Sequence, residues 1–435
     1  MVCEVKESPY RFKDGYRIVP PYEYLYKSFV KERWMGKSVH KVLLSEFAAL
    51  SEDYIQHACK NGKFKLYSKN GEELCKDSSV LDHILKPNEK LCHYAVVHEQ
   101  LALDKPVRLI KNLEDYIVVS KPTSVPVYHT GTYHYNTLVE IMKYELPECE
   151  NLRLYPIHRI DKLVSGVVVF AKSSNAASKF SQAIKELLVK KVYVARVCGD
   201  FRNINSNLVT LKDDYIISHG FMYALSKRDG KHEFTMECIN SKCKPVETRF
   251  KFLSYNSDLD ESLILCYPVT GRTHQIRAHL KHLGYSISND QCYNNGRIVD
   301  SEEYFKSIPD VRWESDSEGN WCIPELSFTT TVPSVDTAQC GGIPFVDLTT
   351  TQDDGGFHVG LNREGNTSRK NPTGIFLHSF RYMWKDKFNV YDQFPSWTKE
   401  FDVSCDITSI NLWDDYLYVL VPSLYVKICL TYHVN

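Results

Sequence analysis

Residues 152–172 read LRLYPIHRIDKLVSGVVVFAK, and the fold depends on how that stretch is built. Its first half is a charged connection, in which His158, Arg159, Asp161 and Lys162 stand just ahead of Gly166. Its second half, Val167 to Ala171, is an unbroken apolar run that predicts a buried strand. A strand covered on both faces is a rigid mount, so a carboxylate at its entrance is held in place. Arg159 and Asp161 lie two residues apart and, in extended chain, point to the same side. On these residues alone the segment is equally a functional turn or a surface loop with a salt bridge.

Downstream, Ala176, Phe180, Ala183, Ile184, Leu187 and Leu188 recur at helical spacing, and Lys191 to Val197 alternates like a strand. Strand, helix and strand place Asp161 at the base of one unit and Tyr193 in the next. Two more strands are predicted at Thr248 to Tyr255 and Ser262 to Val269, joined by the polar turn Asn256 to Asp260. Gly271 to Gly284 follows as a helix with Ile276, Leu280 and Leu283 on one face. His274, Arg277 and Lys281 share another, with Thr273 as N-cap and Gly284 as the stop. That face carries the local positive charge or is simply a solvated surface. Upstream, Tyr116 to Ser120 predicts a strand, Lys121-Pro122 with Pro126 makes the loop after it, and Asn136 caps a helix with Leu138, Ile141 or Met142, and Leu146 inside.

Residues 1–30 read as an N-terminal extension, rich in Tyr, Pro and Lys and without a clear period. Residues 31–100 predict two short helices and a hairpin. Val39, Val42, Leu43, Phe47 and Leu50 form one helical face, and Ser51 caps a second helix with Tyr54, Ile55 and Ala58 that Gly62 ends. Lys63 to Tyr67 is a strand and Asn70-Gly71 its turn. Lys60, Lys63, Lys65 and Lys69 crowd this junction, as an RNA contact or as solvated charge. Residues 300–372, acidic and then rich in Thr, Gly and Asp, bury little apolar surface and read as an insertion into a domain spanning 101–402. Residues 403–435 form a tail.

With 435 residues, 43% hydrophobic and 25% charged, the chain has the composition of a soluble globular protein of two to three domains. A net charge of −1 gives no global basic signal, so any nucleic-acid surface must be built by local clustering of Lys and Arg. The 14 Cys are scattered without a Cys-x-x-Cys pair, which suggests neither a zinc site nor a disulfide framework but reduced cytosolic thiols. Charges at Glu4, Lys6, Glu7 and Arg11 interrupt the N-terminus, and the best apolar run, Leu417 to Leu430, carries Pro422 and Lys427. A monomer with no membrane, metal or cofactor is the expectation, cytoplasmic first, with nucleus and mitochondrion as the other compartments.

His158-Arg159-Ile160-Asp161-Lys162-Leu163-Val164-Ser165-Gly166 resembles the signature of the RluA-type pseudouridine synthases, His-Arg-Leu-Asp-x-x-Thr-Ser-Gly ahead of an apolar strand ending in Ala-Lys. Val164 replaces the usual Thr. Gly271-Arg-Thr-His-Gln-Ile-Arg-Ala-His279 is similar to that family's Gly-Arg-x-His-Gln-Ile/Leu-Arg-x-His motif, and Lys191-Val-Tyr-Val-Ala195 to its Lys-x-Tyr-x-Ala context. Ser288 to Tyr293 resembles Gly-Asp-x-x-Tyr with Asn289 for Gly. That change, with Arg33-Trp-Met-Gly-Lys37, is similar to the eukaryotic branch, and Ile375 to Tyr382 to the closing strand. The resemblance implies an α+β pseudouridine synthase fold, a mixed, mainly antiparallel sheet with flanking helices, preceded by a small S4-like α/β RNA-binding domain.

The same resemblance implies roles. Asp161 is the catalytic aspartate, Arg277 its partner, and Tyr193 lies against the flipped base. Arg159 enters the helical stack, and His158, His274, Lys281, Lys60, Lys63 and Lys65 contact RNA. Converting uridine to pseudouridine breaks the bond from N1 to C1′ and remakes it through C5, so the base must leave its stack. An ionised acid suffices for the covalent step, with no metal, nucleotide or redox cofactor. Burial disfavours such a charge, and a guanidinium opposes that cost because it keeps its proton. Transfer RNA is the first expected substrate, with ribosomal and messenger RNA as the other classes. The alternatives are an inactive RNA-binding protein that kept the fold, for which Val164 would be an early sign of decay, and a Ser/His/Asp hydrolase, for which no Gly-x-Ser-x-Gly elbow is present.

Overall fold

The computed structural model describes residues 8–294 and 374–403, except 48–49, 76–78, 98, 213, 227–230 and 386, together with a few short strands between 305 and 372. Apart from those strands, the expected insertion and the tail from 404 lie outside the described residues. The chain divides into two units, residues 1–181 with 289–379, and residues 182–288 with 380–435.

In the first unit the apolar run lies in the strand Ser165–Ala171, and Val167 to Ala171 are fully buried. It pairs antiparallel with Tyr116–Lys121, from Gly166 opposite Lys121 to Ala171 opposite Tyr116. On its other side it runs parallel to the start of Leu377–Trp384, with Ser165 opposite His378 and Gly166 opposite Ser379. Burial on both faces explains why its pattern is continuous rather than alternating. The helix Ser174–Lys185 follows, with Ala176 and Phe180 buried. The Tyr116 hydroxyl donates to the Ala176 carbonyl at 3.1 Å. The helix stops earlier than its sequence pattern suggests: Leu187 takes a left-handed φ of 58° and Leu188 is exposed, so neither belongs to the buried stripe.

The N-terminal part of this unit holds a sheet of Tyr22–Phe29, Lys90–Val97 and Phe64–Tyr67, all antiparallel, with helices Val39–Glu46 and Glu52–Lys60. Ser51 caps the second helix by accepting from the Tyr54 N–H, as its position predicts, and Ser38 caps the first. A boundary at residue 31 does not match this architecture. Tyr22–Phe29 is an integral strand whose Tyr22, Tyr24 and Tyr26 are buried, so the sheet begins inside the stretch read as an extension. Asn136 also differs: the helix Leu138–Glu145 is capped at Thr137, and the Asn136 amide donates instead to the Gln100 carbonyl.

The second unit is an antiparallel sheet in the order Tyr215–Ser226, Lys244–Asn256, Glu261–Pro268, Val189–Cys198. The predicted turn is present, with the Asn256 side chain accepting from the Asp258 and Leu259 N–H groups. Phe250 and Leu263 to Tyr267 are fully buried, and Arg196 is locked between Glu261 and Glu400. The helix Gln275–His282 packs Ile276, Leu280 and Leu283 inward, and Gly284 ends it with a φ of 86°. Helices flanking sheets that are mainly antiparallel, with parallel pairings of Ser165–Gly166 with His378–Ser379 and of His358–Val359 with Val96–Val97, make an α+β fold.

Candidate active site

Asp161 occupies a tight turn at the entrance of the buried strand and is half-exposed, so a substrate can reach it. The Val164 N–H donates to the Asp161 carbonyl at 3.0 Å and closes the turn. Val164 itself is 2% exposed, so its methyls pack where the resembling signature carries a hydroxyl. Backbone closure plus apolar packing keeps the turn shaped without that side chain.

Lys121, which the sequence marks only as the start of the loop Lys121-Pro122, holds the turn from behind. It ends the strand Tyr116–Lys121, is fully buried, and donates from Nζ to the carbonyls of Pro122 and Val125 at 2.8 Å and of Lys162 at 3.2 Å. One ammonium thereby staples the loop after the strand to the residue following Asp161. Burial pulls the Lys121 pKa down to about 7; the Asp161 charge opposes the shift and the Lys162 charge adds to it. Lys162 points elsewhere, donating to the Tyr133 hydroxyl at 2.9 Å.

Lys121→Met strands three carbonyls in the interior, and unfolding in urea is expected to show a loss of about 2 kcal/mol. The loss depends on pH with a defined sign. The folded pKa lies below the ordinary 10.5, so between about 7 and 10.5 the unfolded chain holds the extra proton and stability rises with pH. The gap between wild type and Lys121→Met is expected to widen across that window.

The strand next to the turn is fixed from the far end of the chain. Ser165 Oγ lies 2.9 Å from Nδ1 of the buried His378, and Ser379 Oγ donates to the Val167 carbonyl at 3.2 Å. Asn289, the departure from Gly in the Gly-Asp-x-x-Tyr resemblance, accepts from the Phe376 N–H at 2.7 Å and donates to the Gly374 carbonyl at 3.4 Å. It therefore anchors the approach to the same strand.

The remaining sequence candidates divide by environment. Arg159 is exposed, as a side chain that enters a nucleotide stack must be. His158 is engaged inside the fold: its Nε2 accepts from the Val169 N–H at 3.0 Å and its ring stacks on Phe180. Tyr193 and Arg277 belong to the second unit, whereas Asp161 belongs to the first. Tyr193 is 9% exposed, with its hydroxyl 3.5 Å from that of Tyr382. Arg277 is 4% exposed, which corrects the picture of one basic helix face shared with His274 and Lys281. The helix begins only at Gln275, after His274 in a left-handed conformation with φ 57°, and of the three only Lys281 is exposed. Gln275, not Thr273, organises the start, accepting from the Arg272 N–H and the Thr270 hydroxyl. Lys60 and Lys63 are exposed, while Lys65 is half-buried and lies 3.5 Å from Glu73. Among the described residues no cluster of three or more His, Cys, Asp or Glu could hold a metal ion, and no helix is long and apolar enough to cross a membrane.

A family model described as RNA pseudouridylate synthase matches residues 115–282, the stretch from the Lys121 strand to the Arg277 helix. The chain is 35% identical over 292 residues to RNA pseudouridine synthase 7 of Oryza sativa subsp. japonica, spanning 65% of this chain and 67% of that protein. It is 34% identical over 291 residues to Pseudouridylate synthase RPUSD2 of Homo sapiens, spanning 66% of this chain but 48% of that relative, about half its length. With the tRNA pseudouridine(31) synthase of Saccharomyces cerevisiae it shares 31% identity over 328 residues, 70% of this chain and 79% of that protein.

Proposed function

Because the chain belongs to the RNA pseudouridine synthases, isomerases that convert uridine in RNA to pseudouridine, we propose that it acts on uridines of transfer RNA, with Asp161 as its catalytic acid. The observation that carries the site is the Asp161 turn: a half-exposed carboxylate at the mouth of a strand buried on both faces, stapled by Lys121. Transfer RNA is favoured by the yeast relative that carries tRNA in its name. A uridine in a loop, already poorly stacked, is the least costly to extract, so the anticodon loop is the first region to search.

In this scheme the target nucleotide swings out and the exposed Arg159 fills the gap. Asp161, ionised, attacks C1′ or the detached base, or assists removal of a ribose proton. The base turns, and C5 takes the place of N1. Tyr193 stacks on the base or takes the proton that C5 loses, N1 gains one, and Arg277 is the partner of the acid. The scattered thiols support a cytoplasmic setting, and the protein is taken to work as a monomer.

The test is carbodiimide mapping of transfer-RNA transcripts after incubation with the full chain; pseudouridine confined to particular loop positions is the expected result, and its absence from every transcript refutes the proposal. Arg277→Gln is expected to lower kcat by about 100-fold with KM little changed, since a preorganised cation acts on charge during reaction. Full activity in that variant removes Arg277 from the mechanism.

A further inference from the structure

The N-terminal sheet has a second face that the isomerase site does not use. Residues i and i+2 of a strand share a face, and so do directly paired residues. The side bearing Tyr22, Tyr24 and Tyr26 is buried. The register of the other side sets Phe29, Lys90 and Tyr67 in one row, Lys27, Cys92 and Lys65 in the next, and Leu25 beside Tyr94 in a third. Aromatic rings and ammonium groups thus interleave across three strands. An open antiparallel sheet normally presents polar side chains to water. Here Phe29 is 68% exposed and Tyr94 37%.

The groups on this face also act on one another. Lys90 Nζ sits 5.5 Å from the centre of the Tyr67 ring. Cys92 lies 1% exposed in the middle row, between Lys27 and Lys65. Lys65 is held toward Glu73, a contact that a phosphate could replace. Rings presented flat beside lysines suit an unpaired polynucleotide, whose bases stack on aromatic faces while its phosphates meet the ammonium groups. A duplex hides its base faces and cannot use the rings.

We propose that this sheet face is a second RNA-binding site, on which a single-stranded segment stacks its bases against Phe29, Tyr67 and Tyr94 and sets its phosphates on Lys27, Lys65 and Lys90. The proposal rests on the chain's acting on RNA, and it adds a contact outside the Asp161 turn. It keeps Lys65 from the expectation built on Lys60, Lys63 and Lys65; Lys63, two residues before Lys65 and accepting from the Tyr94 N–H through its carbonyl, borders the same face, whereas Lys60 ends the helix Glu52–Lys60.

Fluorescence anisotropy of the full chain with a short labelled oligouridine, and with a duplex RNA of equal length, tests it. The paired substitutions Phe29→Ala and Tyr94→Ala are expected to weaken oligouridine binding about tenfold or more and to leave duplex binding nearly unchanged. Tyr94→Phe, which keeps the ring, is expected to bind like wild type. Lys27→Gln with Lys90→Gln is expected to flatten the salt dependence of oligouridine affinity by about two contacts. Phe29 is so exposed that Phe29→Ala cannot cost the fold; unchanged oligouridine affinity in that variant, or equal losses for oligouridine and duplex, overturns the platform. Asp161→Asn, run alongside, separates the two readings. If wild type makes product and the sheet variants bind normally, the platform alone fails. If no RNA is modified yet the sheet variants lose oligouridine, the substrate reading fails and the platform stands.

Discussion

Asp161→Asn is expected to abolish pseudouridine formation, by about a thousandfold or more, while RNA affinity stays within about twofold of wild type. The substitution keeps size and shape but removes the charge that any of the three candidate routes requires. Its structural cost is small, because the turn is closed through the Asp161 carbonyl and not its carboxylate. The half-exposed side chain also leaves room for an amide. Single-turnover assays with carbodiimide mapping read the chemistry, and a thermal melt confirms that the fold is intact. An Asn variant that still modifies RNA would mean that the acid lies elsewhere.

Gly166→Ala is expected to be the most damaging single methyl in the first unit. Gly166 has φ 109°, and a Cβ built on it would lie 2.2 Å from the Ser379 carbonyl oxygen and 2.8 Å from that residue's C and N. These are backbone atoms of the parallel partner strand, so no rotamer change relieves the clash. Strained φ and overpacking together predict a loss of about 3–5 kcal/mol, seen as a lower urea midpoint or as insoluble protein. Gly71, also at positive φ but with nothing within 4 Å of its added Cβ, supplies the control: Gly71→Ala is expected to cost about 1 kcal/mol. Equal stability of the two variants would show that the strands can separate at Gly166.

Much of this was legible in the chain, and the failures have physical causes. Val167 to Ala171 could be read because burial on both faces leaves a run without polar interruption. The resemblance at residues 158–166 then pointed to Asp161, which stands half-exposed at the entrance of that strand. Tyr22–Phe29 escaped because Leu25 and Phe29 face outward, so the contrast that marks a half-buried strand is blurred. The same outward apolar residues make the sheet face unusual. Lys121 was legible only as the start of a loop, because the convergence of three carbonyls on its buried ammonium involves residues up to 41 positions away. Arg277 was placed on an exposed face by helical spacing counted from His274. Arg277 and Lys281 do share a face, but Gln275 to Leu280 are all buried, so the start of the helix is covered all round and spacing alone does not show it.

Ser165 and its neighbour His378 are 213 positions apart in the chain. During synthesis the strand that mounts Asp161 emerges long before the one that lies parallel to it. Until then the Ser165–Gly166 end of one edge stays open, while its Phe170–Ala171 end can already pair with Tyr155–Pro156. Pairing over so long an interval forms slowly and leaves that edge exposed to aggregation. The nascent polypeptide must therefore be shielded through translation of everything in between, and the geometry around Asp161 is established only in the last stage of maturation.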